Sequence, residues 1–214
     1  MFKILVNSLE LPERWKFRLI KHFSRREYFE DLLKRLETNY DLNQQTIEVD
    51  TKRLKELKKM DKNQVIGGRT VFEIIQRFEK KLKDPRDNFK GKKNVKIIRD
   101  FLKINLPIDK AEKAISLFFF KNSLRNKDLT TYLKKISSVN DALGKKYTIY
   151  FKTNFGRNAE YYTGLVFLAY VLNKSKLIEI ARGGEYDTLL KTLGYKKDIP
   201  AFGGAINLNQ LINL

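Results

Sequence analysis

The chain has 214 residues, 42% hydrophobic and 32% charged, which suits one domain with its own core and excludes a disordered chain. It has no cysteine and a single histidine, His22, which excludes disulfides, thiolate metal sites and catalytic groups that need several histidines. A formal charge of +19 makes polyanions a partner class to weigh, but the charge is spread in short lysine pairs such as Lys58-Lys59, Lys92-Lys93 and Lys196-Lys197. A solvated basic surface is the expectation, and nucleic acid is not a favoured partner. No apolar run has the length of a membrane span, and Met1–Leu11 lacks the pattern of a signal peptide, so a cytoplasmic protein without a membrane partner is expected.

In chain order, Pro12 suits the first turn of a helix that carries Trp15, Leu19, Ile20 and Phe23 at helical spacing. Ser24 to Glu27 reads as a capping box opening a second helix, with Tyr28, Leu32, Leu33 and Leu36 on one side. Thr70 to Glu73 reads as another box, before Ile74, Ile75, Phe78 and Leu82, and Asp84-Pro85 ends that helix. Further helices follow at Val95, Ile98, Phe101 and Leu102, and at Ala111, Ala114, Ile115 and Phe118. The last of them spans Asp128–Leu143, with Tyr132, Leu133, Ile136 and Val139, and Gly144 is its expected stop.

Beyond residue 145 the pattern changes. Tyr147–Phe151, Tyr161–Val171, Leu177–Ala181 and Ala201–Leu208 read as strands. Asp187–Leu193 reads as a short helix closed by Gly194, and Leu208–Leu214 starts a final one. Short strands with tight connections favour antiparallel pairing. The expected fold class is α+β, with a mainly helical segment over 1–145 and an antiparallel β core over 146–214, together forming one compact domain.

Three segments carry a pattern of chemistry. They are Phe155-Gly-Arg-Asn-Ala-Glu-Tyr-Tyr-Thr-Gly-Leu-Val-Phe167, Ala181-Arg-Gly-Gly-Glu-Tyr-Asp187 and Pro200-Ala-Phe-Gly-Gly-Ala-Ile206. A guanidinium such as Arg157 can fork onto a carboxylate. Tyr161 and Tyr162 point to opposite faces of a strand, so one offers an aromatic wall and a hydroxyl to a ligand. Gly164, Gly183 and Gly184 allow close backbone approach. Taken without any relative, the aromatic residues would be read as core packing and the glycines as a turn.

In this order, the segments resemble signatures of the histidyl-tRNA synthetase family of class II folds. The first is similar to its histidine motif, the second to its Gly-Gly-Arg-Tyr-Asp turn, and the third to the start of class II motif 3. The resemblance implies a class II synthetase-like antiparallel sheet and a histidine pocket lined by Arg157, Tyr161, Tyr162, Gly164, Gly183, Gly184 and Tyr186. It also implies that motifs 1 and 2 belong ahead of position 1, so the sheet is expected to be incomplete, with Phe2–Val6 as the last strand of motif 2. A second chain supplying that N-terminal half is then a further expected partner.

Several positions depart from a working synthetase. Gln210 stands in Leu208-Asn-Gln-Leu211 where the family carries a phosphate-binding arginine, Glu185 replaces the arginine of the turn and is expected to face any phosphate, and Leu168 replaces an acidic residue. A neutral Gln210 cannot supply the positive charge that nucleotide activation needs. The wording around Arg157 is closest to the non-synthetase branch, the ATP phosphoribosyltransferase regulatory subunits. That branch implies a non-catalytic chain with no cofactor and no metal, partnered by a catalytic ATP phosphoribosyltransferase subunit, with histidine as effector, in the first step of histidine biosynthesis. The alternative is an RNA-binding or otherwise repurposed paralogue that no longer charges tRNA.

Overall fold

The computed structural model describes residues 1–84, 86–155, 162–197 and 199–212, and only the backbone of Asn88. The helical part opens with α1 (Phe2–Ser8), α2 (Glu13–Lys21) and α3 (Arg26–Thr38). It continues through α6 (Asn88–Leu102), α7 (Ala111–Lys121) and α8 (Asp128–Leu143). Each turns its apolar stripe to one shared core: Leu5 and Val6, Trp15 and Leu19, Phe29 to Leu36, Val95 to Phe101, Ile115 and Phe119, and Leu133 and Ile136. Most of these side chains are fully buried, and they supply the main stabilising term of the fold.

Four expectations change here. Phe2–Val6 is not a strand. Phe2, Leu5 and Val6 fall at i, i+3 and i+4, and burying them together in the shared core requires a helix. The N-cap of α3 is not Ser24: the helix starts at Arg26, its N-cap is Arg25, and Arg25 makes no side-chain cap hydrogen bond. Phe29, not Tyr28, heads the buried stripe of α3: Phe29, Leu32, Leu33 and Leu36 fall at i, i+3, i+4 and i+7, and Tyr28 is left exposed. Gly144 ends α8 with φ −61, so the stop does not use the left-handed freedom of glycine.

Between α3 and α6 the chain forms a small satellite, of which only α5 was expected. It consists of α4 (Gln44–Leu57), a two-strand hairpin of β1 (Val65–Ile66) and β2 (Arg69–Thr70), and α5 (Val71–Leu82). Asn43 caps α4 by accepting the Thr46 N–H at 2.7 Å. Gly67 and Gly68 make the hairpin turn with φ +58 and +77, a conformation that favours glycine. Leu57, Val71 and Ile75 form the satellite's own core, with Leu54, Met60, Ile74 and Phe78 packed round them.

The box at Thr70 does form. Thr70 Oγ1 accepts the Glu73 N–H at 3.3 Å, and the Glu73 carboxylate accepts the Thr70 N–H at 2.8 Å. Thr70→Ala is expected to destabilise the satellite by about 1 kcal/mol. Faster amide exchange in the first turn of α5, with the core of α6 unchanged, would show it.

A buried charge cluster joins the satellite to the helical core. Asp84, just past α5, accepts the indole N–H of Trp15 at 2.7 Å and a guanidinium N–H of Arg14 at 3.2 Å. Arg86 Nε stands 3.3 Å from Asp84, a charge contact rather than a hydrogen bond, and its Nη1 donates to Asp41 at 2.6 Å and to the Arg35 carbonyl at 3.2 Å. Pro85, expected to break the helix here, lies outside the described residues.

The C-terminal part is strand-rich. β3 (Asn105–Pro107) pairs antiparallel with β4 (Tyr150–Lys152), and Phe151 packs on the helical core. Thr153 Oγ1 donates to the Phe101 carbonyl at 2.5 Å and pins this ribbon to the end of α6. β5 (Val166–Asn173), β6 (Lys176–Glu185) and β7 (Phe202–Ile206) form an antiparallel sheet in the order β5-β6-β7. Lys174 and Ser175, both at positive φ, make the tight β5–β6 turn, and the register shifts at Ala169/Tyr170. Between β6 and β7 runs α9 (Leu189–Thr192), followed by Gly194 at φ +100, and α10 (Leu208–Ile212) follows β7. β5 is shorter at its start than the expected Tyr161–Val171. Gly164 bends the chain, and the strand begins two residues later.

Candidate functional site

β6 and β7 meet at two glycine pairs. Gly183 stands opposite Gly204, and Gly184 opposite Gly203. Side chains alternate along a strand, so the two pairs open opposite faces of the sheet. Tyr162 and Tyr186 cover the Gly184–Gly203 pair. A Cβ on Gly184 would come 2.9 Å from Tyr162 Cδ1, and one on Gly203 2.5 Å from Tyr186 Oη. The two phenol rings lie 6.5 Å apart at 44°. On the other face, Phe167 lies against Gly183 and Gly204 and stacks on Phe202 with centroids 5.8 Å apart.

Glu185 follows Gly184 and belongs to the phenylalanine face. Its carboxylate passes over Gly164, where any side chain would overlap it, and accepts the Leu165 N–H at 3.0 Å. The same two oxygens take Lys135 Nζ of α8 at 2.9 and 3.1 Å. The expectation that Glu185 faces a phosphate is therefore corrected. Strand alternation turns it away from the tyrosines and toward the helical part. Its charge is felt there. Burial raises the pKa of the Tyr132 phenol, and Glu185 raises it further. Burial lowers the Met1 ammonium to about 5, with Glu185 opposing the shift.

The backbone completes the frame. The Thr163 N–H donates to the Glu185 carbonyl at 2.8 Å, and the Glu185 N–H to the Leu165 carbonyl at 2.9 Å. Thr163 Oγ1 donates to Asp187 at 3.2 Å and accepts the Asp187 N–H at 2.9 Å. Alternation also puts Arg182 on the tyrosine face, where its Nε is held by Glu179 at 2.6 Å. Gln210 lies exposed in α10, and Asn207 Oδ1 accepts its N–H at 3.2 Å.

Of the residues expected to line a pocket, Tyr162, Gly184 and Tyr186 come together on one face. Gly183 opens to the opposite face, and the space over Gly164 belongs to Glu185. Arg157 and Tyr161 lie outside the described residues. Lys135 escaped the sequence reading entirely. It comes from a helix fifty positions earlier, and nothing in its local pattern sets it apart from the many solvated lysines. Thr163 and Asp187 lie inside the recognised segments, but only the paired strands show that they bond to each other.

The family model for histidyl-tRNA synthetase matches residues 4–211. The chain belongs to that family, and its architecture is that of an α+β, class II synthetase-like domain with antiparallel sheets. Among curated proteins it is 27% identical over 227 residues to an ATP phosphoribosyltransferase regulatory subunit of Rhizobium rhizogenes. It is 29% identical to the protein of that name from Allorhizobium ampelinum and 26% to that from Brucella anthropi. Each alignment covers 99% of this chain, and the chain spans 59% of the length of these relatives. No solved structure matches it. No helix among the described residues is long and apolar enough to cross a membrane.

Proposed function

We propose that the chain acts as a non-catalytic regulatory subunit of ATP phosphoribosyltransferase, or as a segment of one, in the first step of histidine biosynthesis in the cytoplasm. The observation that carries this reading is the shared name of its curated relatives, aligned over nearly the whole chain. The neutral, exposed Gln210 and the inward-turned Glu185 support it further. Neither offers the positive charge that an amino-acid-activating site needs at a nucleotide phosphate.

Histidine is the proposed effector. Tyr162 and Tyr186 form two adjacent aromatic walls with hydroxyl tips, which suits an imidazole, and Arg157 and Tyr161 complete the set by resemblance. Gly183 and Gly164 then act through the fit of the sheet, and Gly184 through the seat of Tyr162. Residues 1–145 and 146–214 serve as two parts of one domain, joined by the β3–β4 ribbon and by Lys135 and Glu185. A second chain is proposed to complete the sheet. Phe202, Ile206, Leu208 and Ile212 are large, apolar and more than half exposed beside the edge strand β7, which is a surface that asks for cover.

The test is co-purification with a catalytic phosphoribosyltransferase, followed by its activity with and without this chain. Activity that depends on the chain is expected, and an indifferent catalytic subunit would overturn the reading. For the effector, histidine at a hundred times its dissociation constant is expected to stabilise the chain by about 2.7 kcal/mol. Tyr186→Ala and Arg157→Ala should each remove most of that thermal shift. A shift that survives both substitutions would place histidine elsewhere.

A further inference from the structure

We infer that Glu185, held by Lys135, is a positioning residue that seats Tyr162 on the tyrosine face and ties that face to helix α8. The segment Tyr162–Leu165 runs into β5 through the bend at Gly164. It is gripped by Glu185 in three ways: the Thr163 N–H on the Glu185 carbonyl, the Glu185 N–H on the Leu165 carbonyl, and the Leu165 N–H on the Glu185 carboxylate. The third contact needs the carboxylate to cross Gly164, where only glycine leaves room. A free glutamate would sample several rotamers. Lys135 removes that freedom by donating to both carboxylate oxygens at 2.9 and 3.1 Å.

The placement couples two layers. Glu185 sits between Gly184, which seats Tyr162, and Tyr186, which covers Gly203. The carboxylate holds Leu165, three residues beyond Tyr162, so loss of that hold is expected to loosen the seat of Tyr162. Lys135 lies on the helix whose Leu133 and Ile136 are buried in the main core, so its backbone is fixed. A ligand drawn against the tyrosines would be felt at α8 through this bridge. This deepens the proposed histidine site and depends on it only for the ligand readout.

Amide hydrogen exchange at Leu165 reads the grip directly, with the amide of Ile98 in the core as reference. Glu185→Ala and Lys135→Met are expected to speed exchange at Leu165 at least tenfold with Ile98 unchanged. Lys135→Arg, which keeps the donors, should restore it to within twofold of the parent chain. Glu185→Gln, which keeps an acceptor for Leu165 but loses the charge for Lys135, should fall between. In a histidine titration, Lys135→Met should weaken binding three- to tenfold, and Lys135→Arg should recover it. Exchange at Leu165 within twofold of the parent in both Glu185→Ala and Lys135→Met would overturn the inference, as would an equal acceleration at Ile98. If the parent chain binds no histidine, the ligand reading fails, and the exchange rates still decide the positioning role.

Discussion

Asp84→Ala is expected to be among the most damaging single substitutions in the helical part, costing about 3 kcal/mol or more. The side chain is only 5% exposed, and it serves three partners at once: the Trp15 indole, Arg14 and Arg86. Arg86 is 2% exposed and keeps Asp41, but it would lose the charge nearest its Nε. The Trp15 N–H, on a fully buried ring, would lose its partner. Like charges crowd the spot as well. Burial lowers the Arg14 pKa, Asp84 opposes this, and Arg18, Arg86 and Arg77 add to the lowering. Removing Asp84 thus leaves several guanidinium groups with one counter-charge fewer.

The measurement is the midpoint of urea unfolding at unchanged slope. Asp84→Asn, which still accepts from Trp15, should lose roughly half as much. A midpoint for Asp84→Ala within the scatter of the parent chain would mean that the cluster is solvated and the satellite held some other way.

Gly91→Ala tests the close crossing of α3 and α6. Propensity alone favours alanine by about 1 kcal/mol inside a helix. The tertiary structure opposes it. A Cβ on Gly91 would fall inside the Leu36 carbonyl oxygen of α3, with Leu36 C at 3.1 Å. That obstacle is backbone, so it cannot rotate aside, and α3 and α6 would have to part. An overlap with backbone belongs at the upper end of overpacking costs, about 3 kcal/mol, so a net loss of about 2 kcal/mol is expected after the propensity gain. The same urea transition measures it. A stabilised Gly91→Ala would show that the crossing opens easily.

The sheet shows where reading residues in a row reaches its limit. Tyr162, Gly184 and Tyr186 were legible as a group because they lie in recognisable segments, and strand alternation then gathers them on one face. Glu185 was legible as a departure but not as a bridge. Which way a strand residue points depends on where the strand starts, and here Gly164 and the shift at Ala169/Tyr170 set that. Lys135 was invisible because its role is made by a helix and a strand that meet fifty residues apart.

What the sequence alone determined is the class of the chain. Helical spacing located α2, α3, α5, α6, α7 and α8 to within a few residues, since a 3.6-residue period with buried leucines and phenylalanines admits few alternatives. The glycine and tyrosine segments determined its ancestry. The tertiary structure decided the rest. It turned Phe2–Val6 into a helix, because three apolar residues at that spacing reach the shared helical core together only from one face of a helix. It built the satellite by pairing α5 with the mostly polar α4, and their small core exists only once they pair. It also assigned each glycine of the sheet to the side chain that fills its space: Tyr162 at Gly184, Tyr186 at Gly203, Phe167 at Gly183 and Glu185 at Gly164. Those assignments depend on contacts between distant strands, which local periodicity does not encode.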